Sequence, residues 1–544
     1  MMVRMWNADL RVTMNKYHIR DCSSRWLCED GAPTKASTTV EGKAPVMVAD
    51  NKTISEDSNK EHSSFVLLLL WDKVTNTNMK VIEQSKVSPP PNSVPSPTIL
   101  PLTFFDFPWF YCHPINRIFF YHFPHPTHHF LQTTLPILKH SLSLTLQHFF
   151  PFSSNLIIPQ NSQDAPYIRY LDTDTLSFTV AESSGDFNLL ISDSQDAQNW
   201  HPLVPNLPPS STEQNNTRVI PIMAIQVTVM PNSGFSICLT FNHVAADGKS
   251  LHHFMKFWAS VSKNRANNND ISLEQSLSLH LDLPSHERDR VKDPKGLKQI
   301  YLEELQDFDS KNMEFTGLVR DSYVNKIRTT LVLSFEQVQK LKKWVAEKCK
   351  DSHGTQHVST FVVTNSLIWF CMIKTEQNEG DYVDDLCYFV FLADCRDSPE
   401  FSLPKTYFGN CISSLIVAVK RDELVGKNGI VAAAKGIEKK IRDFKSNALL
   451  GAESLMSDYR DLSKPGTSLV IVAGSPKLAV YETDFGWGKP KKSDAVHLDS
   501  SGSISLSDCR DGGNGIEIGL ALERSRMTDF ISIFQEQLDN ICSM

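Results

Sequence analysis

An α/β fold of two similar-sized domains with mixed sheets is what this sequence predicts, and three observations carry that prediction. Strand-like and helix-like runs intermingle in both halves of the chain, which suits two layered domains better than one large sheet. A charged, Pro- and Gly-containing stretch from Pro284 to Lys298 separates the halves. The length, 544 residues, exceeds what a single hydrophobic core ordinarily serves, and no short internal repeat is present. We therefore expect an N-terminal domain over 79–283, a crossover linker over 284–300 and a C-terminal domain over 301–544. Residues 1–78 mix polar and charged types with little periodicity, and are expected to be a disordered extension or a gene-model artefact ahead of a true start at Met79.

The elements follow in order. Met79–Val87 reads as a first strand, followed by a Pro-rich connection to Pro97. Leu135, Leu138, Leu142, Leu146 and Phe149 recur at helical spacing. Ile222–Met230 and Gly234–Phe241 read as adjacent strands around the turn Pro231-Asn232-Ser233-Gly234. Leu251, Phe254, Met255, Trp258 and Val261 mark one helix face, with a polar break from Lys263 to Asp270. In the second half, Arg328–Leu333 suggests a strand, Phe335–Val345 a helix, and Val358–Met372 another. Strands around Tyr388–Ala393, Ile412–Val419, Ser468–Val472 and Gly515–Ala521 precede a last amphipathic helix carrying Phe530 to Ile541.

Composition narrows the class. The chain is 41% hydrophobic and 21% charged with a net charge of −8, which fits a soluble protein and gives no basic tract for nucleic acid. The apolar run Phe65–Trp71 is far short of the roughly 20 residues a membrane span needs. Eleven cysteines form no CxxC pair or zinc spacing, so we expect free thiols, no metal and a cytoplasmic location.

Two segments carry chemistry. His243-Val244-Ala245-Ala246-Asp247-Gly248 follows a strand in which Phe235, Ile237, Leu239 and Phe241 share one face. His243 falls on that face, as a sequestered base or as a core histidine; Asp247 would hold the loop or cap the next helix. Two metal ligands at this spacing lack a third, and His252 and His253 add no zinc pattern. Asp484-Phe485-Gly486-Trp487-Gly488 is the second segment: its glycines permit close backbone approach and its rings fill space beside them.

Together, His-x-x-x-Asp-Gly and a distant Asp-Phe-Gly-Trp-Gly make the chain resemble the plant BAHD acyltransferase family. Leu102–Asp106 with Trp109, Asp394-Cys395-Arg396, Gly474-Ser475-Pro476 and Gly515–Gly519 extend the likeness over Met79 to Met544. Tyr407-Phe408-Gly409-Asn410-Cys411 resembles the clade that acylates anthocyanins and other phenolic glycosides. The resemblance implies two chloramphenicol-acetyltransferase-like domains and transfer of a malonyl or hydroxycinnamoyl group from acyl-CoA, a co-substrate rather than a bound cofactor. The acceptor implied is a phenolic glycoside; a monomer is implied, with no nucleic-acid or membrane partner. It assigns His243 as general base; Asp484, the one ionisable group of its turn, is either a supporting catalytic proton acceptor or purely structural. It makes Asp247, Arg396, Gly486, Trp487 and Gly488 structural around the site, Asp247 pairing with Arg396. Ser359 and Thr360 at a helix start, with Gly474 and Ser475, are candidate acyl-CoA contacts because helix N-termini favour anions, with ordinary capping or turn formation as the other reading. In some malonyltransferases of that family an arginine lies eight residues after the histidine; here Leu251 stands there, with Lys249 nearby, and an aromatic donor is as open as malonyl. Other acceptors, alcohol or amine, and a non-catalytic CoA-binding protein of the same fold are the alternatives. A peptide-synthetase condensation domain would carry a second histidine where Asn242 stands.

Overall fold

The computed structural model describes residues 79–543 apart from 161–163, 214, 268–281, 307–321, 350–357 and 377–384. The extension 1–78, with its apolar run, lies outside the described residues. Mixed sheets dominate the architecture. The first has six strands in the order Met79–Val87, Leu176–Ser183, Met223–Met230, Gly234–Phe241, Ile115–His122 and Lys492–Ala495. The second has seven, ordered Ile412–Lys420, Leu386–Asp394, Ser468–Gly474, Ile504–Asp508, Ile516–Glu523, Lys326–Leu333 and Ser194–Asp196. A small antiparallel sheet of five short strands flanks the first.

The two large sheets exchange edges. Lys492–Ala495, from the second half of the chain, pairs antiparallel with Ile115–His122 in the first sheet, setting Ala495 opposite Arg117. Ser194–Asp196, from the first half, pairs with Lys326–Leu333 in the second sheet. The exchanged strand Lys492–Ala495 also brings buried charge. Arg328 donates to Asp494 at 2.7 Å and Asp499 at 2.6 Å, and Lys492 reaches Asp193 at 3.1 Å. Such pairs fix register because a slipped strand would leave a buried charge alone.

The strand that leads to the histidine differs from its pattern. All eight residues of Gly234–Phe241 are buried, the polar set included. It lies mid-sheet, and Cys238 on the second face packs with Ile118, Phe120, Trp200 and Met230. The following helix, Gly248–Asn267, passes through the expected polar break at Lys263. It packs on helix Leu135–Leu146, where Trp258 Nε1 donates to the Leu138 carbonyl at 3.2 Å and Ser141 Oγ at 3.1 Å. The helix Gly429–Ser446, an element beyond those expected, packs on the second sheet through Ile430, Ala433, Ile437, Ile441 and Phe444.

Candidate active site

His243 stands two residues past the end of its strand, on the turn into Gly248–Asn267. Its ring lies on the Trp109 indole, centroids 3.8 Å apart and planes 15° from parallel. Burial lowers its pKa to about 4, against the opposing influence of its own main-chain carbonyl, Asp247 and Asn410. Nδ1 is sealed from solvent with no hydrogen-bond partner among the described residues. The ring borders a cavity of about 540 Å³ lined from both sheets, by Phe241, Leu251 and His252 on one side and Leu392, Gly474 and Ser505 on the other.

Three contacts hold this loop. Asp247 is 1% exposed and faces Arg396, which is fully buried; Arg396 Nη2 lies 2.8 Å from Oδ2 and 3.0 Å from Oδ1. One nitrogen thus bridges both oxygens, rather than two nitrogens meeting two oxygens in parallel. Asp247 Oδ1 also accepts from Ser250 N at 3.0 Å and Oδ2 from Cys411 N at 3.2 Å, so it caps the helix as well as tying the loop. Arg396 is shared with Asp394 at 2.9 Å. Burial pushes the Asp394 carboxyl up, but Arg396 and Lys249 outweigh it and hold the pKa at about 2.

The second contact is Asp106 with Arg288, 2.7 Å apart and both buried. The third is Asn410, whose Nδ2 donates to the His243 carbonyl at 2.8 Å and to Asp106 Oδ1 at 3.0 Å. Asp106, Arg288 and Asn410 were not singled out as site residues from the sequence. The strings Leu102–Asp106 and Tyr407–Cys411 were the signal, without the contact that gives them meaning.

The second motif lies elsewhere. Asp484 is not among the residues lining the cavity. Its Oδ1 accepts from Gly486 N at 2.8 Å and Gly488 N at 3.0 Å, while Oδ2 meets Lys263 Nζ at 2.7 Å. Burial raises its pKa, but Lys263 and the two amides win and lower it. Gly486 and Gly488 have φ of +111° and +95°, so backbone handedness demands glycine there, not the close approach expected. Trp487 stacks on Phe485 at 5.7 Å and meets Phe235 edge-on at 5.3 Å. Phe485 in turn meets Trp258 at 4.9 Å. The motif is a clasp from the second half onto the strand and helix that carry His243, and Trp487 does not line the cavity.

Of the four residues expected at acyl-CoA, Gly474 and Ser475 line the cavity and Ser359 and Thr360 do not. Ser359 caps helix Thr360–Lys374 by accepting from Val362 N at 3.3 Å, and Phe361 of that helix reaches the cavity instead. His497 also lines it, brought there by the exchanged strand; burial lowers its pKa to about 4. Among the described residues no cluster of three or more side chains could hold a metal ion, and no helix is long and apolar enough to cross a membrane.

The architecture is that of vinorine synthase, at a TM-score of 0.59 and 19% identity over 84% of this chain and 98% of that one. At that identity the likeness is one of fold alone. A family model described as "Transferase family" matches residues 52–537, beginning ahead of Met79. The chain is 40% identical over 481 residues to coumaroyl-CoA:anthocyanidin 3-O-glucoside-6''-O-coumaroyltransferase 1 of Arabidopsis thaliana, covering 84% of this chain and 97% of that protein. It is 34% identical over 473 residues to malonyl-coenzyme A:anthocyanin 3-O-glucoside-6''-O-malonyltransferase of Dahlia pinnata, covering 85% and 98%. The chain belongs to this family, the BAHD acyltransferases, and is an acyl-CoA-dependent acyltransferase.

Proposed function

We propose that the protein transfers a malonyl or hydroxycinnamoyl group from its CoA thioester to a sugar hydroxyl of a phenolic glycoside of the anthocyanin type, with His243 as general base. The observation that carries the mechanism is a neutral, buried imidazole at a cavity lined by both halves of the chain. With Nδ1 sealed, Nε2 is the nitrogen that can face a reactant. It takes the hydroxyl proton as the sugar oxygen attacks the thioester carbonyl. The tetrahedral oxyanion collapses, the carbon–sulfur bond breaks, and the proton passes from the ring to the departing thiolate. Burial that keeps His243 neutral also makes its imidazolium costly, which favours prompt return of that proton. No covalent acyl-enzyme is required.

In this reading Trp109 and Asn410 set the ring's plane and the loop's height, Asp247 with Arg396 is positional, and Asp484 closes the clasp. Gly474 and Ser475 border the acyl-CoA path. The protein acts as a monomer in the cytoplasm; nine free cysteines among the described residues, seven of them buried, support a reducing compartment. The test is thiol release from malonyl-, coumaroyl- and acetyl-CoA with and without a phenolic glucoside. Release that requires the glucoside is the expected result; no glucoside-dependent release from any of the three donors defeats the proposal.

A further inference from the structure

The cations around the cavity differ in how they are satisfied. Arg396 and Lys249 meet carboxylates, Lys249 reaching Asp394 at 2.9 Å. Arg117 does not. It comes from the strand Ile115–His122, is 5% exposed, and lines the cavity that His243 borders. Its Nε donates to Ser493 Oγ at 3.1 Å, but neither terminal nitrogen has a hydrogen-bond partner among the described residues, and Nη2 is sealed from solvent. The nearest acid on the exchanged strand is already committed: Asp494 accepts from Arg328 at 2.7 Å, Ala495 N at 2.8 Å and Ser505 Oγ at 2.5 Å.

A second group shares the position. His252 is 4% exposed, lines the same cavity, and its Nδ1 is sealed without a partner. Both side chains lie against one ring, Arg117 5.9 Å above Phe119 and His252 6.2 Å from it edge-on. Burial holds the His252 pKa well down, and the positive charge of Arg117 pushes the same way. Asp494 and Asp508 act on Arg117 through their charge without meeting it in an ion pair, so the guanidinium keeps a buried donor that an anionic ligand group can fill.

We propose that Arg117, with His252 beside it, is a subsite that recognises a carboxylate carried by a substrate, most simply the far end of a dicarboxylic acyl group such as malonyl. This rests on the acyl-transfer reading above. It supplies from the neighbouring strand the cation that Leu251 does not supply from the helix. The pairing is a charge-assisted hydrogen bond in a dry site, the kind of contact that discriminates strongly between a carboxylate and a methyl group.

The experiment compares kcat/KM for malonyl-CoA and acetyl-CoA with a neutral phenolic glucoside, in the wild type and in Arg117→Met. We expect the wild type to favour malonyl-CoA and the variant to lower the malonyl-to-acetyl ratio about 100-fold, as loss of one charge-assisted bond implies. Both donors are measured on one preparation, so a partly inactive sample cancels from the ratio. A second arm compares a glucuronide with a glucoside acceptor: a similar drop confined to that ratio assigns the carboxylate to the acceptor and keeps the subsite. Both ratios unchanged within about threefold overturn the proposal. If the variant is insoluble, the wild type decides, and the absence of preference for either charged substrate overturns it. If no donor turns over, the acyl-transfer reading fails by itself; equilibrium titration of malonyl-CoA against acetyl-CoA then reads the subsite, and equal Kd values reject it.

Discussion

Two aspartates pin two turns in this molecule, and they do it at different depths. Asp247 and Arg396 are 1% and 0% exposed, and the loop they hold carries the imidazole at the cavity. Asp484 and Lys263 are 24% and 46% exposed, and the turn they hold clasps the far side of the same helix. Both acids accept backbone amides as well as a cation. The comparison teaches that a shared design need not mean a shared weight. In the interior, a missing partner leaves a charge that water cannot reach; near the surface, water replaces it.

The sharpest break in the comparison is between the residue these turns position and the turns themselves. His243→Ala is expected to lower kcat by at least about 1,000-fold, within the range general-base loss and loss of ring positioning together allow. Circular dichroism and the denaturation midpoint should stay close to wild type, because the ring borders the cavity and its loop is held by Asp247, Arg396 and Asn410 instead. Near-normal kcat would remove His243 from the reaction. Next in size is Asp247→Asn, which leaves Arg396 with Asp394 as its one carboxylate partner. We expect a stability loss of about 3 kcal/mol, the lower end for breaking a buried pair, seen as an earlier urea midpoint, with activity falling alongside. A variant that kept its stability and lost only kcat would make Asp247 chemical rather than positional.

Much of this arrangement was legible in the sequence, and the limits have physical causes. The period-two run Phe235–Phe241 and the Asp-Gly after His243 locate the strand, the turn and the helix because all three are local. The mixed two-sheet fold likewise follows from periodicities within single elements. Trp109 under the ring, Asn410 beneath the loop and the Asp106–Arg288 pair join residues far apart in the chain, so no window of sequence displays them. The exchanged strand Lys492-Ser493-Asp494-Ala495 is the clearest case. No apolar period marks its four residues, yet all are buried, because Arg328 and Asp193 neutralise their charges across the sheets. Arg117 reaches the cavity from the strand that this pairing extends, and His497 from just beyond the exchanged segment.

Proton linkage separates the buried loop from the clasp in another way. The His243 pKa of about 4 lies below the ordinary histidine value, so the ring is already a free base at neutral pH. The acid limb of kcat/KM should therefore fall near pH 4 to 5 rather than near 6.5. Stability moves in the same window: the unfolded chain binds more protons than the native one between about 6.5 and 4, so stability is full above 6.5 and declines as pH falls. His286 and His497, also lowered to about 4 by burial, add to that decline. Urea midpoints that are flat from pH 7 to 4.5 would contradict the burial of all three rings.

The smallest effect is expected at the clasp. Asp484→Asn keeps an oxygen that can accept from Gly486 N and Gly488 N, and loses the charge opposite Lys263. An ion pair this accessible contributes on the order of 0.5 kcal/mol and is screened by salt. The variant should therefore hold its urea midpoint within that margin, show less difference from wild type in high salt, and keep kcat/KM within about threefold. Asp484→Ala removes both acceptors as well, and should cost a further 1 kcal/mol or so while Trp487 fluorescence reports a loosened turn. A 100-fold fall in kcat for the asparagine variant, with the midpoint intact, would place Asp484 in the reaction and make the two aspartates partners in chemistry instead of two depths of the same device.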